Sequence, residues 1–251
     1  MGSKYYFVSD VHLRPNAQDG EIPHKRFLSF LDHLDEDVEA VYFLGDIFDY
    51  WYEYKYTIPR GHTRVLGRLA MLSDRGVRLY FIPGNHDVWL YGFLKDEIGG
   101  EILQQPSFVK CGRRTFCIGH GDGLGYTALG FRFIRSIFHS RFLQKLYSAI
   151  HPRWSFALGY AWSEHSRSVK KNNLNYRPVF KGEDEPIYRY AQKVASENVV
   201  DCFVFGHFHI PTDLTLPSGE RLFILGEWSQ GCEVLIYDSV EDSFELVKPE
   251  M

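Results

Sequence analysis

The sequence predicts an α/β fold in a single domain, 1–251, with a helical insertion near its middle. Three observations support it: short apolar runs alternate with helical patterns, hairpin patterns follow later, and 251 residues suit one hydrophobic core. A composition with 45% hydrophobic and 24% charged residues is typical of a folded globular protein. It argues against a disordered or low-complexity chain.

Predicted strands and helices alternate along much of the chain. Short apolar runs, rich in aromatic and β-branched residues and followed by a turn, predict buried parallel strands. These runs are Tyr5–Ser9, Ala40–Leu44, Val77–Ile82 and Asp201–Phe205. Helical patterns occupy Pro23–Leu34, Thr63–Asp74 and Asp184–Glu197. The alternation of the two is typical of βαβ units.

Two further pairs of apolar runs predict antiparallel hairpins, because each pair flanks a short segment with turn residues. The pairs are Ser107–Lys110 with Arg113–Ile118, and Asp213–Leu216 with Arg221–Leu225. The α/β core is therefore expected to contain antiparallel strands in its second half.

The segment 123–182, called the cap from here on, differs from the rest of the chain in charge. It contains ten Lys and Arg and one acid, Glu164, a surplus of +9, whereas the remaining residues sum to −13. Aromatic residues such as Phe133 and Trp154 are interleaved with the cations. This concentration predicts contact with phosphates or with an anionic membrane, the alternative being a solvated basic face.

A helical stretch is predicted inside the cap, from about Thr127 to Lys171. Its apolar residues recur at spacings of three and four, which places them on one helical face. They are Phe131, Ile134, Phe138, Phe142, Leu146 and Ile150. Such an amphipathic helix either docks the cap on the core or forms an apolar wall for a lipid or a membrane.

Nothing in the sequence predicts export or a membrane span. No run of 18 apolar residues occurs, and the N-terminus lacks the apolar segment of a signal peptide. The four cysteines have no CxxC spacing, and there is no Asn-X-Ser/Thr site. We therefore expect a cytoplasmic protein, with any membrane contact peripheral and on the inner face.

Five polar clusters stand just beyond apolar strand patterns. They are Ser9-Asp10-Val11-His12, Gly45-Asp46-Ile47-Phe48-Asp49, Gly84-Asn85-His86-Asp87, Gly119-His120-Gly121-Asp122 and Gly206-His207-Phe208-His209. Groups beyond the carboxyl ends of strands converge in open α/β sheets, so we expect one site. Oxygen and imidazole donors suit Mn, Zn, Fe or Co and exclude a thiolate site. The glycines that precede four of the donors are expected to let the backbone turn sharply.

In this order the clusters resemble the signature of the calcineurin-like metallophosphoesterases, D-x-H, G-D, G-N-H-D, G-H and G-H-x-H. The resemblance covers nearly the whole chain and implies a four-layer αββα sandwich with the helical cap inserted in it. It implies two divalent metal ions, Mn²⁺ first, with Zn²⁺, Fe²⁺ and Co²⁺ as alternatives. The implied ligands are Asp10, His12 and His209 for one metal and Asn85, His120 and His207 for the other, with Asp46 bridging. Such a pair neutralises a phosphate ester and converts a bridging water to hydroxide.

The same resemblance assigns catalysis to His86, which would steady the transition state and protonate the leaving oxygen. Asp87 or another acid would orient the imidazole, and a supporting position for His86 is the alternative. Asp49 and Asp122 are expected to hold backbone amides or ligand histidines rather than a metal.

The residues from Gly45 to Trp51 resemble a narrower group. Their sequence G-D-I-F-D-Y-W is similar to the G-D-L-F-E-x-W motif of the UDP-2,3-diacylglucosamine pyrophosphohydrolases of lipid A synthesis, which also insert a basic, apolar helical cap. The resemblance implies cleavage of an acylated UDP-sugar to UMP and an acylated glucosamine 1-phosphate. Candidate substrate contacts are Trp51, Arg167, Lys170 and Lys171. One position differs, because that group has G-N-R-D where this chain has His86.

Two other functions are compatible with the sequence. A nucleotide or nucleic-acid phosphodiesterase would use the basic cap to bind a polyanion, with a salt-sensitive affinity for oligonucleotides. A non-catalytic scaffold, like the metallophosphoesterase-like subunit of the retromer, would have lost metal ligands, whereas all seven are present here. The sequence therefore favours the enzyme, and it predicts no nucleic-acid partner.

Overall fold

The computed structural model describes residues 2–15, 21–125, 130, 133, 136–138, 140–172, 179–229 and 233–249, without the side chains of residues 21 and 166–172. Two sheets are present in this part of the chain. The first has the order β11 (Ser243–Val247), β10 (Val234–Asp238), β1 (Lys4–Val8), β2 (Val38–Leu44), β3 (Arg78–Ile82) and β4 (Glu101–Ile102). The second has the order β5 (Ser107–Cys111), β6 (Arg114–Gly119), β7 (Cys202–Phe205), β9 (Arg221–Ile224) and β8 (Thr212–Thr215).

The centre of each sheet is parallel and its antiparallel strands lie to the outside. β1, β2, β3 and β4 run parallel in the first sheet, and β10 and β11 continue it antiparallel beside β1. In the second sheet β6, β7 and β9 are parallel, whereas β5 and β8 pair antiparallel at the two edges. Both predicted hairpins are therefore confirmed, as β5 with β6 and β8 with β9.

The described helices are α1 (Glu21–Asp32), α2 (Thr63–Asp74), the short α3 (Phe93–Asp96), α4 (Arg141–Ser148), α5 (Pro152–Asn172) and α6 (Pro186–Glu197). α2 matches its predicted bounds. α6 begins two residues later than predicted, because Gly182–Asp184 forms a 3₁₀ turn and Pro186 occupies the first helical turn. Among the described residues, every helix is too short or too polar to span a bilayer.

The side chains of β1 alternate between two hydrophobic cores, one on each face of the first sheet. Tyr6 and Val8 enter a core between the first sheet and α1 and α2, whereas Tyr5 and Phe7 enter a core between the two sheets. A third core packs Ile187 of α6 and its neighbours against the outer face of the second sheet. The layers are thus helix, sheet, sheet, helix, which confirms the predicted four-layer αββα fold.

Within the cap, the single amphipathic helix predicted from the apolar spacing is wrong. Residues 136–138 are helical, but Ser140 has an extended backbone and caps α4 by accepting a hydrogen bond from Leu143 N. Ile150 then follows the end of α4. Phe138 is partly buried, whereas Phe142 and Leu146 are 75% and 61% exposed, so these residues do not share one buried face. Phe131 and Ile134 lie outside the described residues.

Candidate active site

The five polar clusters converge at the carboxyl ends of strands from both sheets. The residues that follow β1, β2, β3, β6 and β7 are Asp10, Asp46, Asn85, His120 and His207. Two hydrogen bonds join the sheets here: His120 Nδ1 donates to Leu44 O at 2.9 Å, and His207 N donates to Asp10 Oδ2 at 2.9 Å. The site therefore lies on the seam between the two sheets.

A first group of side chains forms around Asp10. His209 Nε2 lies 3.1 Å from Asp10 Oδ1, and His12 Nε2 lies 3.8 Å from the same oxygen. The rings of His12 and His209 are 5.5 Å apart between centroids. The ligand atoms of these three residues all lie within 4.8 Å of one another.

A second group adjoins it through Asp46. His120 Nε2 is 3.4 Å from Asp46 Oδ2 and 3.3 Å from Asn85 Oδ1. The ring of His207 packs against that of His120, with 5.0 Å between centroids. Asp46 Oδ2 is also 3.9 Å from His12 Nε2, so Asp46 lies between the two groups. The structure thus brings together all seven residues that the sequence proposed as ligands.

Left-handed backbone turns these side chains inward. Five non-glycine residues of the site have φ between 53° and 68°: Asp10, His12, Asp46, His207 and His209. Such values strain the backbone by about 1 kcal/mol or more at each residue. Of the four glycines expected to make the turns, only Gly45 has a positive φ, 84°, and a Cβ there would lie 2.7 Å from the His120 ring. The donors themselves therefore carry most of the strain.

Charged carboxylates and charged histidines stabilise one another in the site. Asp10 and Asp46 are buried, which alone would raise the pKa of each carboxyl, but the charges of His209 and His120 hold both pKa values below their ordinary range. Desolvation opposes protonation of the histidines. The same carboxylates nevertheless raise the pKa of His209 to about 9 and that of His120 well above its ordinary value.

The donor set fits divalent cations. A buried cluster that draws protons onto its imidazoles has the negative potential that a bound cation neutralises, and carboxylate, amide and imidazole donors suit a first-row metal. Burial and the neighbouring charge of His120 lower the pKa of His207 to about 4, so this ring is neutral, the form that binds a metal.

Asp87 holds a loop in place, so of the two alternatives for orienting His86, Asp87 or another acid, its hydrogen bonds favour the second. Its carboxylate accepts hydrogen bonds from the backbone N–H groups of Gly84, Asp46, Ile47 and Phe48, at 2.8 to 3.2 Å. These contacts fix the loop that carries Asp46. Burial, together with the charge of Asp46, raises the pKa of Asp87 to about 6.

Asp49 is the acid next to the site histidines. Its Oδ1 lies 3.6 Å from His12 Nδ1 and 3.7 Å from His86 Nδ1, and Arg14 Nε donates to Oδ2 at 2.7 Å. His86 Nδ1 donates to the backbone carbonyl of Asp49 at 2.9 Å, and the Ser163 hydroxyl of α5 lies 3.5 Å from the same nitrogen. Asp122 instead accepts a hydrogen bond from the Gln105 amide.

The candidate substrate contacts have mixed outcomes. Trp51 is fully buried in the core under α2, where it packs on Phe48 and Phe93, so it offers no surface to a substrate. Its neighbour Tyr50 lines the cavity beside the site instead, since side chains alternate along an extended segment. Arg167, Lys170 and Lys171 lie on α5, but their side chains are outside the described residues.

A cavity of about 230 Å³ opens between the site and the cap. Asn85 and His86 line its polar side, and Trp89, Phe138, Tyr147 and Trp162 line its aromatic side. All of these rings except Trp162 belong to a small cluster that joins Tyr50, Tyr52 and Trp89 of the core to Phe138 and Tyr147 of the cap. The cap therefore completes a pocket that the core leaves open.

Sequence reasoning missed Glu227, which contacts a site histidine. Its Oε2 lies 2.9 Å from His209 Nδ1, and the paired charge of His209 lowers the pKa of Glu227 to about 2 in spite of burial. A signal was available, because Gly226-Glu227 follows β9 just as Gly45-Asp46 follows β2. It is a sixth polar cluster beyond a strand.

Comparisons with known proteins show what the chain is similar to. A family model described as calcineurin-like phosphoesterase matches residues 3–211. The chain is 36% identical to the UDP-2,3-diacylglucosamine hydrolase of Porphyromonas gingivalis, over 95% of each chain, and 28% identical to that of Vibrio parahaemolyticus, over 96% of each. A solved structure of an archaeal phosphodiesterase shares the fold, with a TM-score of 0.50 and 14% identity over 98% of this chain and 99% of that one.

Proposed function

The chain belongs to the calcineurin-like phosphoesterase family, and from this premise we propose that it hydrolyses UDP-2,3-diacylglucosamine to UMP and 2,3-diacylglucosamine 1-phosphate. The observation that carries the proposal is the cavity, where Asn85 and His86 face aromatic walls supplied by the cap. A substrate with a diphosphate at one end and acyl chains at the other needs both kinds of surface. The relatives' names, on proteins that align over 95% and 96% of the chain, support the same substrate.

We propose the seven converging residues as the ligands of two divalent metals. Asp10, His12 and His209 would hold one, Asn85, His120 and His207 the other, and Asp46 both. The metals, of which Mn²⁺ is our first candidate and Zn²⁺, Fe²⁺ and Co²⁺ the others, supply charge neutralisation and an activated water when bound. The distances of 3.1 to 3.9 Å between facing donor atoms support this set.

His86 is the proposed acid for the leaving oxygen. Its Nδ1 must carry a hydrogen to donate to Asp49 O, so the proton that moves would be held at Nε2. His86 N also donates to Asp46 Oδ1 at 2.8 Å, which fixes the residue beside the proposed bridging carboxylate. When the bond to the leaving phosphate oxygen breaks, the proton on Nε2 passes to that oxygen, and the ring becomes neutral.

The cap is proposed to supply selectivity. Each methylene of an acyl chain buried in the cavity contributes about 0.8 kcal/mol, so five give roughly 4 kcal/mol, or about a thousandfold in kcat/KM. Arg167, Lys170 and Lys171 are proposed to bind the diphosphate, since α5 carries them beyond Ser163, which lines the cavity.

The test compares UDP-2,3-diacylglucosamine with UDP-N-acetylglucosamine at matched metal and detergent concentrations. We expect the acylated substrate to release UMP faster by about two to three orders of magnitude, given the energy per methylene. Equal rates for the two sugars would overturn the substrate. Faster cleavage of cyclic nucleotides or oligonucleotides would support the phosphodiesterase alternative instead, which the +9 charge of the cap favours.

We also propose that the cap contacts an anionic membrane surface from the cytoplasmic side. Apolar side chains and cations lie side by side on its exterior: Phe142 and Trp154 are 75% and 62% exposed, and the guanidinium of Arg153 lies 5.7 Å from the Trp154 ring. Aromatic rings beside basic residues are suited to the headgroup region.

Vesicle flotation tests this contact. We expect the protein to bind vesicles that contain an anionic lipid more tightly than neutral vesicles, and the double variant Phe142→Ser/Trp154→Ser to lose most of that binding. Neither residue lines the cavity, so turnover of a soluble phosphodiester should not change. Equal binding of wild type and variant would overturn the proposal.

A further inference from the structure

Glu227 is held in a short hydrogen-bonded chain that ends at the proposed metal site. Ser229 Oγ donates to Glu227 Oε1 at 2.8 Å, Glu227 Oε2 lies 2.9 Å from His209 Nδ1, and His209 Nε2 faces Asp10 Oδ1 at 3.1 Å. A carboxylate only accepts hydrogen bonds, so Nδ1 of His209 must donate to it. This contact fixes the tautomer and directs Nε2 toward Asp10.

Rigid neighbours fix the position of Glu227. The next residue, Trp228, is fully buried and packs edge-on against Phe27 and Phe30 of α1. Trp228 N also donates to Asp10 O at 3.2 Å. The segment that carries Glu227 is therefore tied to the backbone of the same aspartate that His209 faces.

The two groups of the site differ in what supports their histidines. His209 Nδ1 donates to the Glu227 carboxylate, whereas His120 Nδ1 in the second group donates to a neutral backbone carbonyl, Leu44 O. A carboxylate behind a ligating imidazole makes it a more basic and better oriented donor than a carbonyl does. Both groups have an acid nearby, since the charge of Asp122 acts on His120 and His207, but Glu227 is in direct contact with His209.

From this asymmetry we propose that Glu227 is a positioning residue that acts through His209, and that it makes the metal position of Asp10, His12 and His209 the tighter of the two. That position would then fill first as the metal concentration rises. The inference rests on the ligands assigned under the proposed function. It is specific to Glu227 and does not depend on the identity of the substrate.

The experiment is a Co²⁺ titration of the metal-free protein, followed by visible absorption and by metal analysis after gel filtration. We expect the wild type to bind two ions in two resolved steps. Glu227→Ala should weaken the tighter step by about 10-fold to 100-fold and leave the weaker one unchanged. Glu227→Gln should restore part of the loss, because its amide oxygen still accepts from Nδ1.

Glu220→Ala is the matched control. Glu220 also accepts a hydrogen bond from a serine two residues away, Ser218, at 2.5 Å, but it lies in the turn between β8 and β9. Its removal should change neither step. A fall in either step with Glu220→Ala would show that loss of an acid away from the site suffices, and would overturn the assignment to Glu227.

A double-mutant cycle with His209→Ala tests whether Glu227 acts through that histidine. We expect Glu227→Ala to cost nothing further once His209 is gone, because the two changes remove one interaction. Additive losses would overturn the inference, as would a Glu227→Ala protein that binds both ions as tightly as wild type. A wild type that binds no divalent ion would instead refute the proposed function.

Discussion

The proposed metal centre and the cap are held in place by different interactions. The centre consists of buried side chains on strand ends, with left-handed backbone at Asp10, Asp46 and His209 and hydrogen bonds that cross between the sheets. The cap contacts the core chiefly through aromatic side chains, and its outer helices expose Phe142, Trp154 and other large apolar residues. The centre thus depends on strained backbone and buried hydrogen bonds, whereas the cap depends on aromatic packing against the core.

This difference indicates a division of labour. Strain can be kept at the centre because three cores and the hydrogen bonds between the two sheets over-determine its geometry, so a change there affects every step of catalysis. The cap can be altered with little effect on those side chains. We therefore expect substitutions in the centre to remove turnover of all substrates, and substitutions in the cap to change the preference among substrates.

The largest effect is expected at Asp46, the carboxylate between the two groups. Asp46→Ala should lower the metal content from two ions toward one or none and reduce turnover by about 10³-fold or more, because both groups lose an anionic donor. Metal analysis and a phosphodiester assay measure the two results. Asp74→Ala, at an exposed acid that ends α2, is the control and should change neither. Full activity in a metal-free preparation would refute the mechanism.

The next effect is expected at His86, which borders both regions. His86→Ala should reduce kcat by roughly 10²-fold to 10⁴-fold with both metals retained, because proton delivery to the leaving oxygen is lost. The loss should shrink for p-nitrophenyl esters, whose leaving groups need little protonation. His33→Ala, at an exposed histidine that follows α1, serves as the control. A loss that is the same for good and poor leaving groups would assign His86 a supporting role.

A smaller and more selective effect is expected at Phe138, where the cap lines the cavity. Phe138→Ser should lower kcat/KM for the acylated UDP-sugar by about 10-fold to 100-fold. The reason is that the acyl chain loses about 1.5 to 3 kcal/mol of apolar burial against the ring. A small p-nitrophenyl phosphodiester should be cleaved as by wild type. Phe108→Ser is the matched control, since Phe108 of β5 is 48% exposed and lies outside both the cavity and the cap. Equal losses for both substrates would mean that the cap supports catalysis itself.

The difference between the centre and the cap also determines how much could be predicted from the sequence. The clusters of the centre are local, with each donor one to four residues beyond a strand, so their convergence could be predicted because the carboxyl ends of the strands meet. Glu227 had the same local pattern, but Gly226-Glu227 is absent from the signature that drew attention to the others. The role of Asp49 beside His86 depended on a contact across 37 residues, which no local pattern contains.

Prediction failed where a regular pattern crossed a break. The apolar spacing through Phe138, Phe142 and Leu146 continues across Ser140, whose hydroxyl caps the start of a new helix. The sequence therefore keeps the helical period, although these residues do not lie on one face of one helix. β10 and β11 were not predicted, although Val234–Asp238 is an apolar run, and the pairing of β10 with β1 could not be predicted because it joins opposite ends of the chain. Long-range pairing of this kind leaves no local signal.

The smallest effect is expected from one hydrogen bond that docks the cap. Tyr52 and Tyr54 alternate along an extended segment of the core, and their hydroxyls donate to Gln144 O at 3.0 Å and to Ile150 O at 2.9 Å, at the middle and just beyond the end of α4. Tyr52→Phe removes one hydrogen-bond donor and keeps the ring in its aromatic cluster. We therefore expect the free energy that holds the cap on the core to fall by about 1 kcal/mol. Amide hydrogen exchange should become faster in α4. Metal content and the exchange of β1 and β2 should stay as in wild type, because the strands do not depend on the cap.

Tyr56→Phe is the control for this prediction. Tyr56 is 85% exposed, so its substitution should leave all of these quantities unchanged. Faster exchange in β1 or β2, or loss of metal, would show that the cap and the centre are one cooperative unit and would remove the distinction between them.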